Sequence, residues 1–417
     1  GHWSFWAEFR ACDNLQAVYW LYNLTGEAFL LELGHLLHQQ SYSFVDMVNR
    51  GDLRRICTIH CVNLAQGIKE PIIYYQQDTN PKYIDAVKRG FQDIRQFHGQ
   101  PQGMYGGDEA LHGNNPTQGS ELCAAVELMY SLEKMVEITG DIDFADHLER
   151  IAFNALPTQI SDDFMTKQYF QQPNQIMVTR HRRNFDQDHE GTDITFGTLT
   201  GYPCCFSNMH QGWPKFTQHL WYATPDNGIA AFSYSPSEVT AKVGNNVSVV
   251  ISEDTYYPMD NRISFTIKEV KNKTKQVEFP LHLRIPKWCK RAEIIVNGKA
   301  EQYIEGGRIA VINRIWKRND NVELHLPMEV STSTWYENAV TIERGPLVYA
   351  RKRNENWKKE NLNNSWYGPH YYQVTSSEPW NYGLVDFDRS QVNKIAQVSI
   401  DSQKQQSIFP WNQENAP

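Results

Sequence analysis

The chain has no uninterrupted apolar run near the ~20 residues that a helical membrane span needs, which excludes such a span. Long Lys/Arg runs are also missing. With 40 basic against 48 acidic residues and a net charge of −8, the chain lacks the basic footprint of a nucleic-acid binder. Cysteine is scarce and odd in number: seven residues, at 12, 57, 61, 123, 204, 205 and 289. That excludes a disulfide scaffold, and no Cys-x2-Cys pair of the common zinc modules occurs. No initiator methionine or signal peptide precedes Gly1-His2-Trp3-Ser4-Phe5-Trp6, and a helical pattern starts almost at once. The chain therefore reads as cut from a longer protein, with its compartment hidden.

What remains is an ordinary globular composition, 41% hydrophobic and 21% charged, with length for two or three domains. The 12 Trp, 21 Tyr and 19 Phe serve either core packing or stacking on the C–H faces of sugars. Residues 1–224 read as helical. Leu15, Val18, Tyr19, Leu21 and Tyr22 mark a helix over 13–24 that ends at Thr25-Gly26, and a second helix follows over 27–37. The stripe Leu122, Ala125, Val126, Met129, Leu132 and Val136 repeats the design, Thr139-Gly140 breaks it, and 144–153 resumes. Between them, 61–77 and 83–97 flank the turn Asp78-Thr79-Asn80-Pro81. The turns at Thr25, Thr79 and Thr139 stand 54 and 60 residues apart, a spacing that marks a stacked array of helical hairpins, which with six hairpins closes into an (α/α)6 toroid. The pattern reads either as an open helical array or, as the abrupt start favours, as such a toroid lacking its N-terminal hairpins. From Pro225-Asp226-Asn227-Gly228 the pattern turns to short strands, with alternation at Leu281, Leu283, Ile285 and at Val322, Leu324, Leu326, and a hairpin signal at Asn297-Gly298. Residues 225–350 are therefore expected to form a β-sandwich, and 351–417 a polar C-terminal extension.

The densest chemistry lies in Gly119-Ser120-Glu121-Leu122-Cys123 and Gly201-Tyr202-Pro203-Cys204-Cys205-Phe206. A carboxylate and three thiols suit a tetrahedral zinc site, provided that Glu121 and Cys123 stand at a helix's first turn and the cysteine pair in irregular backbone. The other reading is four ordinary residues with the thiols buried as small hydrophobes. Cys57 and Cys61, four apart, and Cys12 and Cys289 read as packing residues. Arg180-His181-Arg182-Arg183 reads as a solvated loop, and His35 and His38 as surface or interhelical groups.

Glu-x-Cys at a helix start, followed some way on by Tyr202-Pro203-Cys204-Cys205-Phe206-Ser207-Asn208, resembles glycoside hydrolase family 127, the family of β-L-arabinofuranosidases. The resemblance runs through residues 1–350 and includes Ala145-Asp146-His147-Leu148-Glu149-Arg150 with Asn154, and Arg344-Gly345-Pro346-Leu347-Val348-Tyr349. It implies an (α/α)6 catalytic barrel followed by β-sandwich modules. It implies zinc on Glu121, Cys123, Cys204 and Cys205, with Cys204 as nucleophile. Glu109, in Gly107-Asp108-Glu109-Ala110-Leu111, matches the acid/base, with Asp108 as its rival. His60, Glu149 and Tyr169 match substrate contacts. One departure stands out: Cys12-Asp13-Asn14-Leu15-Gln16 replaces a Gly-His-Leu-Ile-Glu motif, so Asp13 stands where a histidine is expected to touch sugar. Related members act on other furanosides, including branched acidic sugars of pectin.

The chemistry hangs together. A retaining glycosidase needs a nucleophile on one face of the anomeric carbon and an acid on the other. A thiol serves only as thiolate, which zinc coordination provides. The acid Glu109 is expected to have a pKa well above the ~4.3 of a free Glu. The expected function is retaining hydrolysis of β-L-arabinofuranosides or related furanosides of plant cell-wall glycans, with Zn2+ as cofactor and a carbohydrate as partner. The alternative is a non-catalytic sugar-binding relative with a structural zinc. A plant-glycan degrader suits a bacterial periplasm or secretion; the oligomeric state is unspecified.

Overall fold

The structure is a computed structural model that describes residues 5–362, 366–384, 388–399 and 411. Its N-terminal half carries the helices α1 (Phe5–Phe9), α2 (Ala11–Thr25), α3 (Phe29–Gln40), α4 (Phe44–Asn49), α5 (Cys61–Gly67), α6 (Glu70–Tyr75), α7 (Lys82–Phe97), α8 (Leu122–Thr139), α9 (Ile142–Thr158) and α10 (Cys204–Gln218). Two corners are built alike. At the ends of α2 and α8, the Thr25 and Thr139 hydroxyls donate back to the carbonyls of Leu21 and Met135, and accept from the N–H groups of Glu27 and Asp141. The glycine between, Gly26 at φ +71° or Gly140 at φ +63°, takes the left-handed turn that releases the chain into the next helix. All six stripe residues of α8 are buried. The helix expected over 61–77 is two, α5 and α6, because Pro71 fits a helix's first turn and not its interior.

The helical reading of 1–224 is incomplete. A small sheet lies within it, in the order β1-β3-β2-β4-β5: β1 (Cys57–His60), β2 (Gly106–Asp108), β3 (Ala110–Gly113), β4 (Ser120–Glu121) and β5 (Phe170–Gln171). Cys57 opens β1 and Cys61 opens α5, so the two cysteines do not share a helix face.

The C-terminal half is β-rich. It carries β6 (Trp221–Ala223), β7 (Ile229–Ala231), β8 (Ser237–Val243), β9 (Val247–Thr255), β10 (Arg262–Lys271), β11 (Gln276–Ile285), β12 (Arg291–Val296), β13 (Lys299–Glu305), β14 (Arg308–Lys317) and β15 (Asn321–His325). One sheet runs β13-β12-β15-β10-β9-β8, the other β14-β11-β7-β6. Their alternating side chains, Ile251, Phe265 and Leu324 from the first and Phe279, Leu281 and Ile312 from the second, join one hydrophobic cluster. Asn297 and Gly298, both at positive φ, make the β12–β13 turn as expected. Beyond it, 330–349 forms a three-stranded antiparallel sheet, and Asn356–Asn361 pairs with His370–Thr375. That last hairpin lies within the expected extension but docks on the helical half: Val374 exchanges backbone hydrogen bonds with Val178, and Tyr372 with Phe196. The rest of 351–417 lies largely outside the described residues.

Helix α9 joins the halves. Glu149 is fully buried, paired with Arg284 of β11 at 2.5 Å, and accepts from the Tyr257 hydroxyl at 2.6 Å. Arg284, also fully buried, pairs with Asp146 and donates to the Phe232 carbonyl. Arg150 makes a two-pronged contact with Glu343 at 3.0 and 2.7 Å. Asn154 donates to the Pro346 carbonyl and accepts from Val348 N–H. The two sequence stretches 145–154 and 344–349 thus dock on each other. Glu149 belongs to this joint and not to a sugar site: as a buried carboxylate it needs a buried cation, and Arg284 supplies it. Removing that cation leaves two carboxylates stranded. Arg284→Met is expected to cost about 3–5 kcal/mol in urea denaturation, and Glu149→Gln, which leaves Arg284 with Asp146, less. Equal losses would mean that packing, not charge, holds the joint.

Candidate metal centre and its neighbouring carboxylate

The first turns of α8 and α10 meet at the small sheet. Glu121 ends β4 and is the N-cap of α8, with Cys123 in the first turn; Cys204 and Cys205 open α10 after Pro203. The spacing Glu-x-Cys therefore works because it lies at a helix start, and the adjacent cysteines because a loop delivers them. One carboxylate oxygen and three Sγ atoms lie within 4.8 Å of one another. Cys123 and Cys205 are 3.3 Å apart, Cys204 and Cys205 3.9 Å, and Glu121 Oε1 lies 3.7 and 3.6 Å from Cys204 and Cys205. A tetrahedral zinc with ~2.3 Å bonds to sulfur has S···S edges of about 3.8 Å, so the donor set fits. Cys123, Cys205 and Glu121 are buried, and Cys204 is partly exposed.

The electrostatics single out Cys204. Hydrogen bonds from Cys123 and Cys205 hold its thiol far below the ordinary range, against its own burial. Burial pushes Cys205 up, and Cys123 is raised by its hydrogen bonds with Cys204 and Cys205. Glu121 is likewise raised well above the carboxylate range by burial, then by the Cys204 charge. The helix N-termini favour negative charge here. A bound divalent cation would favour it more.

Glu109 sits at the β2–β3 turn with φ +84°, a strained conformation for a residue with a side chain. Its carbonyl accepts from Cys61 N–H at 2.6 Å, and the Cys61 thiol in turn donates to Glu121 Oε2 at 3.2 Å. One residue thus ties the turn to the cluster. His60 caps α5: its Nδ1 accepts from Val62 N–H at 3.2 Å, which leaves the proton on Nε2 to be donated to Glu109 Oε2 at 3.1 Å. The Tyr169 hydroxyl donates to Glu109 Oε1 at 2.5 Å. Burial raises Glu109, but these two donors outweigh it, and its pKa lies below the ordinary value. The expected raised pKa is therefore not found in this state of the site. Asp108 is fully buried, bonded to His112 at 2.6 Å, and pushed up to about 6 by burial; it does not share Glu109's donors.

Of the sequence-selected residues, the structure brings together Glu109, Glu121, Cys123, Cys204, Cys205, His60 and Tyr169. It does not bring Asp13 or Glu149. Asp13, on α2, pairs with buried Lys69 at 3.0 Å and accepts from Gln66. It lines a cavity of about 260 Å³ with Gln16, Gln66, Glu127, Tyr130 and Lys215. Lys215 stands about 16 Å along α10 from Cys204, so this cavity lies well down the helices from the cluster. Asp13 is thus held by Lys69, away from the thiol cluster. Residues that sequence reasoning missed are Cys61, read as packing, and Lys167. Lys167 is buried, and its ammonium donates to the carbonyls of Thr200 and Tyr202. The neighbour of His60 was a usable signal for Cys61; a lone lysine in a polar stretch offered none. His35 and His38 are interhelical as expected, bonded to Tyr74 and Glu70. Arg180 and Arg183 bind within their own loop.

A thiol-rich, closed donor set beside a hydrogen-bonded glutamate, carried on paired helices with a β-rich half attached, defines the class. Residues 6–218 match the family described as "Beta-L-arabinofuranosidase, GH127 catalytic domain", and residues 228–328 its "GH127 middle domain". The chain belongs to the GH127 family. It is 24% identical over 283 residues to a "Non-reducing end beta-L-arabinofuranosidase" of Bifidobacterium longum subsp. longum, covering 65% of this chain and 38% of that relative. It therefore spans well under half of that relative's length. In fold it is similar to a solved "Glycoside hydrolase" (TM-score 0.65, 20% identity, 89% of this chain and 68% of that one). It is also similar to a GH127 β-L-arabinofuranosidase from Geobacillus stearothermophilus T6 (TM-score 0.64, 19% identity, 86% and 68%).

Two outcomes are expected. The purified chain binds one equivalent of zinc by metal analysis, and Cys123→Ser releases it. Gly201, at φ +66°, has Tyr169 Cβ 2.1 Å from where its own Cβ would be. Gly201→Ala therefore displaces the loop and is expected to lose zinc at a stability cost of about 1–3 kcal/mol by thermal denaturation. Retained stoichiometry in both variants would remove these residues from the centre.

Proposed function

We propose that the chain carries the catalytic centre of a retaining glycosidase that acts on β-L-arabinofuranosides or related furanosides of plant cell-wall glycans. Cys204 is the nucleophile, Glu109 the acid/base, and Glu121, Cys123, Cys204 and Cys205 hold zinc. The observation that carries this is the exposure pattern. Cys204 is the one cluster thiol that solvent reaches, and Cys61 and His60 link that cluster to Glu109, a carboxylate held by two donors.

Zinc, when bound, supplies the charge that keeps the cluster thiols ionised. The Cys204 thiolate attacks the anomeric carbon, and the bond to the leaving oxygen breaks as Glu109 delivers a proton to it. Glu109, now a carboxylate, takes a proton from water, and that water displaces the Cys204 sulfur from the anomeric carbon with overall retention. In the free site His60 and Tyr169 hold Glu109 in the form required for the second step. For the first step a proton must reside on Glu109, so the His60 donation is the contact that yields when substrate binds. His60 and Tyr169 thereby double as proton-controlling and sugar-contacting groups.

The same reading divides the chain into 1–224, 225–350 and 351–417, with the helical pairs as part of an (α/α)6 ring and the two large sheets as a β-sandwich. The exposed Trp20, Leu24, Phe29, Leu33 and Leu36 of α2 and α3 support further helices packing on that face. A periplasmic or secreted location suits such a substrate.

Intact-mass analysis with a mechanism-based inhibitor of β-L-arabinofuranose configuration is expected to show one adduct on wild type and none on Cys204→Ala. Glu109→Ala is expected to lose about 10²–10⁴-fold on a disaccharide and far less on an aryl glycoside with an activated leaving group. Equal losses on the two would count against the acid role. A zinc-loaded wild type without adduct or turnover would act on a different sugar or be the sugar-binding relative with a structural metal, and turnover of other furanosides separates the two. Because the His60 bond lowers the Glu109 pKa, His60→Phe raises it. The alkaline limb of kcat/KM, where the acid loses its proton, should then move to higher pH; an unmoved limb would belong to another group.

A further inference from the structure

Lysine is almost never fully buried without a partner. Lys167 has no exposed side-chain surface, yet among the described residues no carboxylate pairs with it. Its ammonium donates to the Thr200 carbonyl and, at 3.1 Å, to that of Tyr202, and lies 5.4 Å from the centre of the Tyr169 ring. The Lys167 backbone is fixed as well, exchanging hydrogen bonds with Gly197. The two carbonyls it grips flank Gly201, and the next turn of chain is the start of α10 at Cys204.

The centre also carries a charge problem. Three thiolates and a carboxylate around a divalent ion leave an excess of about two negative charges in a buried place. The N-termini of α8 and α10 offset roughly half a charge each, which leaves about one uncompensated. Lys167 is the buried cation at hand.

Resting on the zinc reading above, we infer that Lys167 is a positioning residue of the thiolate centre. Its ammonium holds the Thr200 and Tyr202 carbonyls so that Cys204 and Cys205 enter α10 in place, and its positive charge offsets the excess negative charge of the donor set. Bracing alone needs only a hydrogen-bond donor; offsetting charge needs a cation. The two roles separate by substitution: Lys167→Arg keeps the charge, Lys167→Gln keeps a donor without charge, and Lys167→Met keeps neither.

The test is zinc affinity, measured by competition with a chromophoric chelator between pH 6 and 8, with far-UV circular dichroism to confirm folding. Wild type is expected to bind one zinc. Lys167→Gln and Lys167→Met should bind about 10–100-fold more weakly, the range expected when a group supporting metal ligands is removed. Lys167→Arg should recover most of the loss. Wild-type affinity in folded Lys167→Gln would overturn the inference, as would a loss in Lys167→Arg equal to that in Lys167→Gln. If Lys167→Gln does not fold, the double variant with Glu121→Gln, which removes one negative charge, decides. Folding of the double variant supports charge compensation, and its failure together with Lys167→Arg assigns Lys167 to shape alone. A wild type that binds no zinc would instead overturn the metal reading, a result distinct from wild-type binding that Lys167→Gln shares.

Discussion

Unpaired N–H groups at the start of a helix attract negative charge, and in this protein two helices begin at the same place. The first turns of α8 and α10 draw Glu121, Cys123, Cys204 and Cys205 into one buried cluster, and much around them is arranged to keep it there. Glu121 reaches it as the last residue of a two-residue strand, so the small sheet must exist to present it. Cys204 and Cys205 reach it through a loop whose glycine has no room for a side chain and whose carbonyls are gripped by Lys167. Helix, sheet and loop answer to the same centre.

The turn at Glu109 is built with equal economy of parts. Glu109 holds a left-handed backbone that costs about 1–3 kcal/mol, a strain tolerated where surroundings fix it. Here Cys61 fixes it: the backbone N–H of Cys61 takes the Glu109 carbonyl and its thiol takes the Glu121 carboxylate. A residue that packs in no special way by sequence thus ties the Glu109 turn to the donor cluster. His60, one place earlier, is oriented by the helix it caps, which decides its tautomer and hence the state of Glu109.

Much of this was legible in the residues. The Thr-Gly corners, the stripe of α8 and the alternation of β11 and β15 carry their own local causes, and the Glu-x-Cys and Cys-Cys segments, singled out by sequence, meet in one cluster. What was not legible has physical reasons. The small sheet is made of strands two to four residues long, too short to show a period of two. Glu149 looks like any charged residue on a helix until Arg284, far along the chain, is folded against it. Asp13 is tied to Lys69, a partner that only the folded chain brings to it. The direction of the Glu109 pKa depends on two hydrogen bonds from distant residues, which outweigh the burial that sequence suggests. Lys167 could be read only in three dimensions.

The joint at α9 bears on how such a protein can be passed on and rearranged. The turn at Pro225-Asp226-Asn227-Gly228 is where composition changes and where a gene would naturally be divided. Yet Asp146 and Glu149 on one side of it depend on Arg284 on the other, and Arg150 and Asn154 on residues 343–348. A helical half separated at that turn would carry buried acids with no counter-ion, and the β-rich half a buried guanidinium with no acid. The two halves are therefore one heritable unit: shuffling between relatives succeeds when both travel together, and the seam that sequence composition draws is not one along which the protein can be cut.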